Sequence, residues 1–164
     1  MGLIKNNELI ADDYLYLPED APMPASGAVI VDLERWQSQK EQLIHSNADI
    51  GIRLKSDQSP ELIADDLSHV ALVALEFPAF RDGRAYSYAR MLRERYGFSG
   101  EIRAVGDVLQ EQLHFMLRTG FDAFEIESDD PLGQYRAALV DFSVWYQPTA
   151  DGRQTAMQLR RERD

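Results

Sequence analysis

Cysteine is absent from all 164 residues. Without a thiol the chain cannot form a disulfide, use a thiolate nucleophile, or ligate by itself a thiolate zinc site or a cysteine-held iron–sulfur cluster. Positive charge is scarce. Seventeen Lys and Arg face 28 Asp and Glu, a formal charge of −11, whereas nucleic acid and anionic membrane surfaces select basic partners. Long apolar runs are missing too. No stretch approaches the ~20 apolar residues of a membrane span. The opening MGLIKNNELIADD has polar and acidic residues where a signal peptide needs an apolar run. The expectation is a cytoplasmic protein with no nucleic-acid or membrane partner.

Several catalytic signatures are absent as well. GxGxxG, GxxxxGK[ST], GxSxG and HExxH do not occur. The three histidines, His45, His69 and His114, have no ligand spacing, so no metal site is expected and no cofactor is specified. His114, between Leu113 and Phe115 on a helical pattern, reads as structural.

What is present is a rhythm. A length of 164 residues suits one domain with a sizeable core. Residues 1–17 read as a hairpin in which LIK and YLYL flank a turn-prone stretch holding Asn6, Asn7, Asp12 and Asp13. Residues 18–27, with three prolines, form a linker. Strand patterns follow in AVIVDL (28–33), IGIRL (50–54), HVALVALEF (69–77), EIRAV (101–105) and FDAFEI (121–126). Helical patterns intervene at 35–46, after Ser59 and Pro60, at 84–96 ending on Gly97, after Asp107 as N-cap with Gln110 three residues on, and at 131–141. This is an α/β chain of about five βα units with a mostly parallel sheet, either an open sheet or an incomplete βα-barrel. The domain spans 1–147. FSVWYQ (142–147) is β-prone, and its Phe142, Trp145 and Tyr146 suit either a core or a docking patch. Residues 148–164 read as a mobile or peripheral tail.

Ligands in such folds bind beyond the carboxyl ends of the strands. That rule selects Asp32, Glu34 and Arg35; Arg53, Lys55 and Asp57; Glu76, Arg81, Asp82 and Arg84; Arg103, Gly106 and Asp107; and Glu125 and Glu127. The densest group is the Arg81–Arg84 stretch. Gly83 permits a close turn there, and the helix start with Arg81, Arg84, Ser87 and Arg103 offers donors to an anion. Equally, Asp82 can cap the helix while the arginines pair with carboxylates. Glu76, ending an apolar run, and Asp107 are the acid–base candidates, although Arg81 or Arg103 can pair with Glu76, and capping alone explains Asp107.

The segment FPAFRDGRAYSYARMLRERYGFSGEIRAVGDVLQEQLHFMLRTGFDAFEI (77–126) resembles the signature of a bacterial family catalogued as domain of unknown function 934. Its pattern is matched most densely by Phe77, Phe80, Arg81, Asp82, Gly83, Arg84, Ser87, Arg90, Arg103, Gly106, Asp107 and Gln112. Members are labelled oxidoreductases of sulfite reduction. The resemblance therefore implies a role in assimilatory sulfite and sulfate reduction beside the sulfite reductase haemoprotein or a phosphoadenylyl-sulfate reductase. It supplies no catalytic residues. Three roles follow as expectations: an accessory protein whose acidic surface steers docking, an enzyme whose arginines hold an oxyanion, or a homodimer that buries FSVWYQ.

Overall fold

All five βα units form where the apolar patterns place them. The computed structural model describes residues 1–140, 145–149 and 152–162. Strands β1 (Gly2–Lys5), β2 (Glu8–Ile10), β3 (Tyr14–Tyr16) and β4 (Gly27–Asp32) lead into helix α1 (Leu33–Ile44) and β5 (Ala48–Leu54). A 3-10 segment, Pro60–His69, precedes β6 (Leu72–Phe77), α2 (Arg84–Arg90), β7 (Glu101–Gly106) and α3 (Gln110–Thr119). Then come β8 (Ala123–Ile126), α4 (Pro131–Val140) and α5 (Ala156–Arg161).

The eight strands make one sheet in the order β2-β1-β8-β7-β6-β5-β4-β3. Strands β3 to β8 run parallel, and β1 joins β8 antiparallel. The first and last places in that order belong to β2 and β3, which only residues 11–13 separate in the chain. Laid flat, eight strands at ~4.8 Å spacing would hold the two edges roughly 34 Å apart. The four Cα steps from Ile10 to Tyr14 reach at most about 14 Å. The sheet must therefore curl, and it forms a half-barrel with its seam between β2 and β3.

Two features of the hairpin region differ from the sequence reading. The hairpin is closed by Asn6 and Asn7, whose φ values of 53° and 66° suit a tight two-residue turn, and it pairs β1 with β2. The YLYL segment leaves it altogether and pairs parallel with β4 on the far edge. Adjacent β-prone segments favour a local hairpin on pattern alone. Here the curl offers β3 a partner that local pattern does not reveal.

Residues alternate between the faces of the sheet. Val29, Val31, Ile52, Leu54, Val73, Leu75, Ile102, Ala104 and Phe124 face the helices and pack with Trp36, Leu43, Ile63, Leu92, Leu113 and Met116. Each such large side chain withdrawn from water contributes about 1.5–3 kcal/mol. A small second cluster, Ile30, Leu72, Ala74 and Val105, lies on the opposite face.

Local chemistry explains the helix ends. Ser59 Oγ accepts from the Glu61 N–H at 3.3 Å, as the Ser-Pro-Glu pattern predicts, although the segment is 3-10 and not α. Helix α2 widens into a π turn at Met91–Arg95 before Gly97, at φ 62°, stops it. Arg93 in that turn donates to the Gly120, Phe98 and Gly100 carbonyls and pairs with Asp122. Helix α3 begins later than expected. Its N-cap is Leu109, and Gln112 Oε1 accepts from the Leu109 N–H at 3.2 Å, so Asp107 does not cap it. Gly106 turns the backbone out of β7 at φ 90°, where an added Cβ would stand 2.5 Å from the Phe77 carbonyl oxygen.

Phe142 of the aromatic segment, with Ser143 and Val144, lies outside the described residues. Trp145 is buried, stacked on His114 with centroids 4.4 Å apart, and Tyr146 is exposed. Beyond them, Thr155 and Gln158 cap α5, and the Ala156 N–H donates to the Trp145 carbonyl at 2.6 Å. Among the described residues no helix is long and apolar enough to cross a membrane.

Candidate functional site

The face of the sheet away from the helices carries charge where a packed core would carry aliphatic groups. Asp32, Arg53, Ala74, Arg103 and Ala123 are successive register partners across β4 to β8. Two arginines thus stand on strands two apart with a methyl group between them. Glu76 lies two residues beyond Ala74, Glu101 two before Arg103 and Glu125 two beyond Ala123, so strand alternation puts all three on the same face.

Arg103 is 1% exposed and surrounded by carboxylates. Its Nε donates to Glu101 at 2.7 Å, and its Nη1 to Asp12 at 2.8 Å and Glu125 at 3.3 Å. Asp12 arrives on the short link that joins β2 to β3 across the seam. Lys5 of β1 pairs with Glu101 at 2.6 Å, and the Arg103 guanidinium lies 5.4 Å from the Tyr14 ring centroid. Burial acts against the charged guanidinium, but Glu101 and Asp12 outweigh it and raise the Arg103 pKa. Burial also raises the Glu125 carboxyl pKa, and Arg103 only partly offsets this.

Arg53 is placed differently. Its Nη2 meets Glu76 at 3.1 Å, its guanidinium lies 5.5 Å from the Tyr16 ring centroid, and its buried Nε–H has no acceptor. A buried donor left unpaired costs about 1–3 kcal/mol. The Tyr16 hydroxyl donates to Asp32. Burial and that bond push its pKa up to about 12, so it stays a proton donor at neutral pH. Between these groups lies a cavity of about 240 Å³ lined by Asp12, Tyr14, Tyr16, Ile30, Arg53, Ala74, Val105 and Glu125. Convergent polar groups around a partly apolar concavity are the usual make-up of a small-molecule site.

The sequence-derived candidates fall into separate places. Arg84 forms a two-point contact with Asp82, Nε–Oδ1 3.0 Å and Nη2–Oδ2 2.6 Å, and also donates to Ser56. Asp82 accepts the Arg84 backbone N–H at 3.2 Å as well, one position ahead of the N-cap Gly83. The Arg84 hydrogen bonds hold the Asp82 carboxyl well below the usual carboxylate range. Arg81 is exposed, and Ser87 lines a shallow groove with Arg90, Met91, Glu94 and Arg95 on the helix exterior. Asp107 is exposed beyond β7, with its N–H donated to the Phe77 carbonyl. Glu76 pairs with Arg53, not with Arg81 or Arg103. The ion-pair partners of Arg103 are Asp12, Glu101 and Glu125, so it does not join Arg84 in one cluster.

A family model described as a bacterial protein of unknown function, DUF934, matches residues 51–157. The chain belongs to DUF934. No curated protein matches it. The DUF934 span takes in Arg53, Glu76, Arg103 and Glu125, while Lys5, Asp12, Tyr14 and Tyr16 come from strands and loops ahead of it. Those four and Glu101 are the site residues that sequence reasoning missed. A usable signal was present in Glu101 and Arg103, charges at alternate positions of the otherwise apolar strand EIRAV. Among the described residues no group of three His, Asp or Glu side chains is arranged to hold a metal ion.

Proposed function

We propose that this DUF934 protein is a cytoplasmic accessory component of assimilatory sulfite and sulfate reduction. In this reading it binds a small oxyanion-bearing ligand inside the half-barrel. The pathway assignment draws on the family resemblance of residues 77–126. One observation carries the choice of place: Arg53 lines the cavity with its side chain 31% exposed and a single carboxylate partner, whereas Arg84 is bound at two points by Asp82 and Arg103 is 1% exposed among three carboxylates. Arg53 is the anchor and Glu76, 3.1 Å from it, is the adjoining acid–base group. The oxidoreductase label requires a redox group supplied by a partner or cofactor, since cysteine is absent. Calorimetry with sulfite, sulfate, phosphate and adenosine phosphosulfates tests this. Binding should be saturable, lost in Arg53→Gln and kept in Arg84→Ala. Silence across the panel, or loss only in Arg84→Ala, overturns it.

A second reading is docking on the sulfite reductase haemoprotein or phosphoadenylyl-sulfate reductase, or self-association. It is favoured by exposed Leu9, Ile10 and Leu15 on the two open strand edges. Sedimentation velocity with and without the reductase decides it. An unshifted monomer boundary in both runs removes it.

A further inference from the structure

We propose that copies of this chain associate through unlike surfaces, helix α5 of one copy lying in an apolar groove of another. This pairing rests on the self-association half of the second reading and adds the two surfaces that meet. The groove encloses about 510 Å³ where β1 begins, β2 ends and the β8–α4 loop turns. Its lining is mostly apolar, with Met1, Leu3, Leu9, Ile10 and Pro131. The rest carries negative charge, from Asp12, Glu125 and Asp129. No Lys or Arg side chain lines it. Arg103, which serves Asp12 and Glu125, is buried and stays outside the lining. Leu9 and Ile10 are exposed, so apolar surface lies open beside carboxylates.

Helix α5 has the complementary character. It is six residues long, and Ala156 is its one buried residue. Helices shorter than ~12–15 residues are marginal in water and depend on packing. Yet α5 leaves Met157 55% and Leu159 38% exposed. Met157 and Arg161 are four residues apart and share one face, with Arg160 beside them. Arg160 and Arg161 are exposed and enter none of the ion pairs of the described residues. By contrast, Arg90 and Arg95 beside Met91 are already paired with Glu94 and Glu61. A chain of charge −11 repels its copies unless surfaces of opposite sign meet. Groove on groove would oppose carboxylates, and α5 on α5 would oppose arginines. Only α5 on groove joins opposite charges as well as apolar side chains. One short helix in one groove is a small interface, so the association is weak, and its charge pairs make it salt-sensitive.

The test is sedimentation velocity on the full chain over a range of concentrations, at low and high salt. The boundary should move faster as concentration rises, and less so at high salt. Two double variants change exposed residues only, Arg160→Glu with Arg161→Glu on the helix and Leu9→Lys with Asp129→Lys at the groove. Each alone should associate about tenfold or more weakly than the parent. An equimolar mixture of the two retains one native helix and one native groove, so it should regain association as a one-to-one pair. Misfolding cannot produce that recovery. A labelled peptide of residues 152–162 needs no variant protein: it should bind the parent saturably by fluorescence anisotropy, and its double Arg→Glu form about tenfold weaker. A parent that associates, with variants that associate equally well, overturns this pairing and leaves self-association standing. So does a mixture that stays monomeric while the peptide is silent. A parent that is monomeric throughout, with a silent peptide, overturns both.

Discussion

Replacing Arg103 by methionine removes a cation with little loss of volume, and its cost follows from the partners left behind. The Arg103 side chain is 1% exposed, Glu101 7%, Glu125 24% and Asp12 38%. Asp12 can turn to water at little cost, and Glu101 keeps Lys5 at 2.6 Å. Glu125 loses its closest cation, and Glu101 loses one of two. Breaking a buried ion pair from one side costs about 3–5 kcal/mol, because the remaining charge stays desolvated. With a urea dependence near ~2 kcal/mol per molar, the unfolding midpoint should fall by roughly 1.5–2.5 M. Adding Glu101→Gln and Glu125→Gln removes the stranded charges, so the triple variant should recover at least half of that loss. Urea titrations followed by tryptophan fluorescence read both quantities. A single-variant shift below roughly 0.5 M, or no recovery in the triple variant, refutes the claim that Arg103 holds buried carboxylates in place.

Two further outcomes follow. Gly106→Ala places a Cβ against the Phe77 carbonyl oxygen at a φ of 90°. It should destabilise by about 1–3 kcal/mol or more in thermal unfolding, and a neutral result would mean that the β7 turn relaxes freely. Glu125, facing Arg103, Asp12 and Arg53, has a folded pKa raised above its ordinary 4.5 by burial. In such a window the folded state binds more protons, so stability is greatest on the acid side and falls as pH rises through the folded pKa. Glu125→Gln lacks that loss. Its stability relative to the parent should climb as pH goes from about 4.5 upward, and a flat or falling difference in pH-stepped urea titrations contradicts the burial argument.

The parallel units were legible because their signals are local. HVALVALEF can hardly be anything but a strand buried on both faces, and Ser59-Pro60-Glu61 announces a helical start. The seam was not legible. Nothing in YLYL distinguishes a hairpin partner from an edge strand on the far side, since the choice depends on how far the whole sheet curls. The site was half legible for the same reason. Arg53, Glu76, Arg103 and Glu125 stand on the strands that the sequence picked out, but the reading weighted Arg81–Arg84, where charges crowd together in the chain. The crowding proved self-satisfying, Arg84 being bound to Asp82 two residues away. Meanwhile Asp12 reaches Arg103 across 91 positions, a contact that no local pattern encodes.

The placement of β1 beside β8 has a consequence for how the protein is made. Gly2 pairs with Ile126, whereas Tyr14 pairs with Ala28. Synthesis runs from the N-terminal to the C-terminal end, so β1, though it can pair with β2 early, receives its second partner only after β8 has left the ribosome. Until then β7 presents a bare edge to solvent, and the hairpin waits unattached with Leu9 and Ile10 exposed. Closing so long a loop is an entropic step that comes late. The β1–β2 hairpin therefore acts as a clasp that can fasten only once β8 has formed, and its exposed apolar residues stay open to aggregation until it docks.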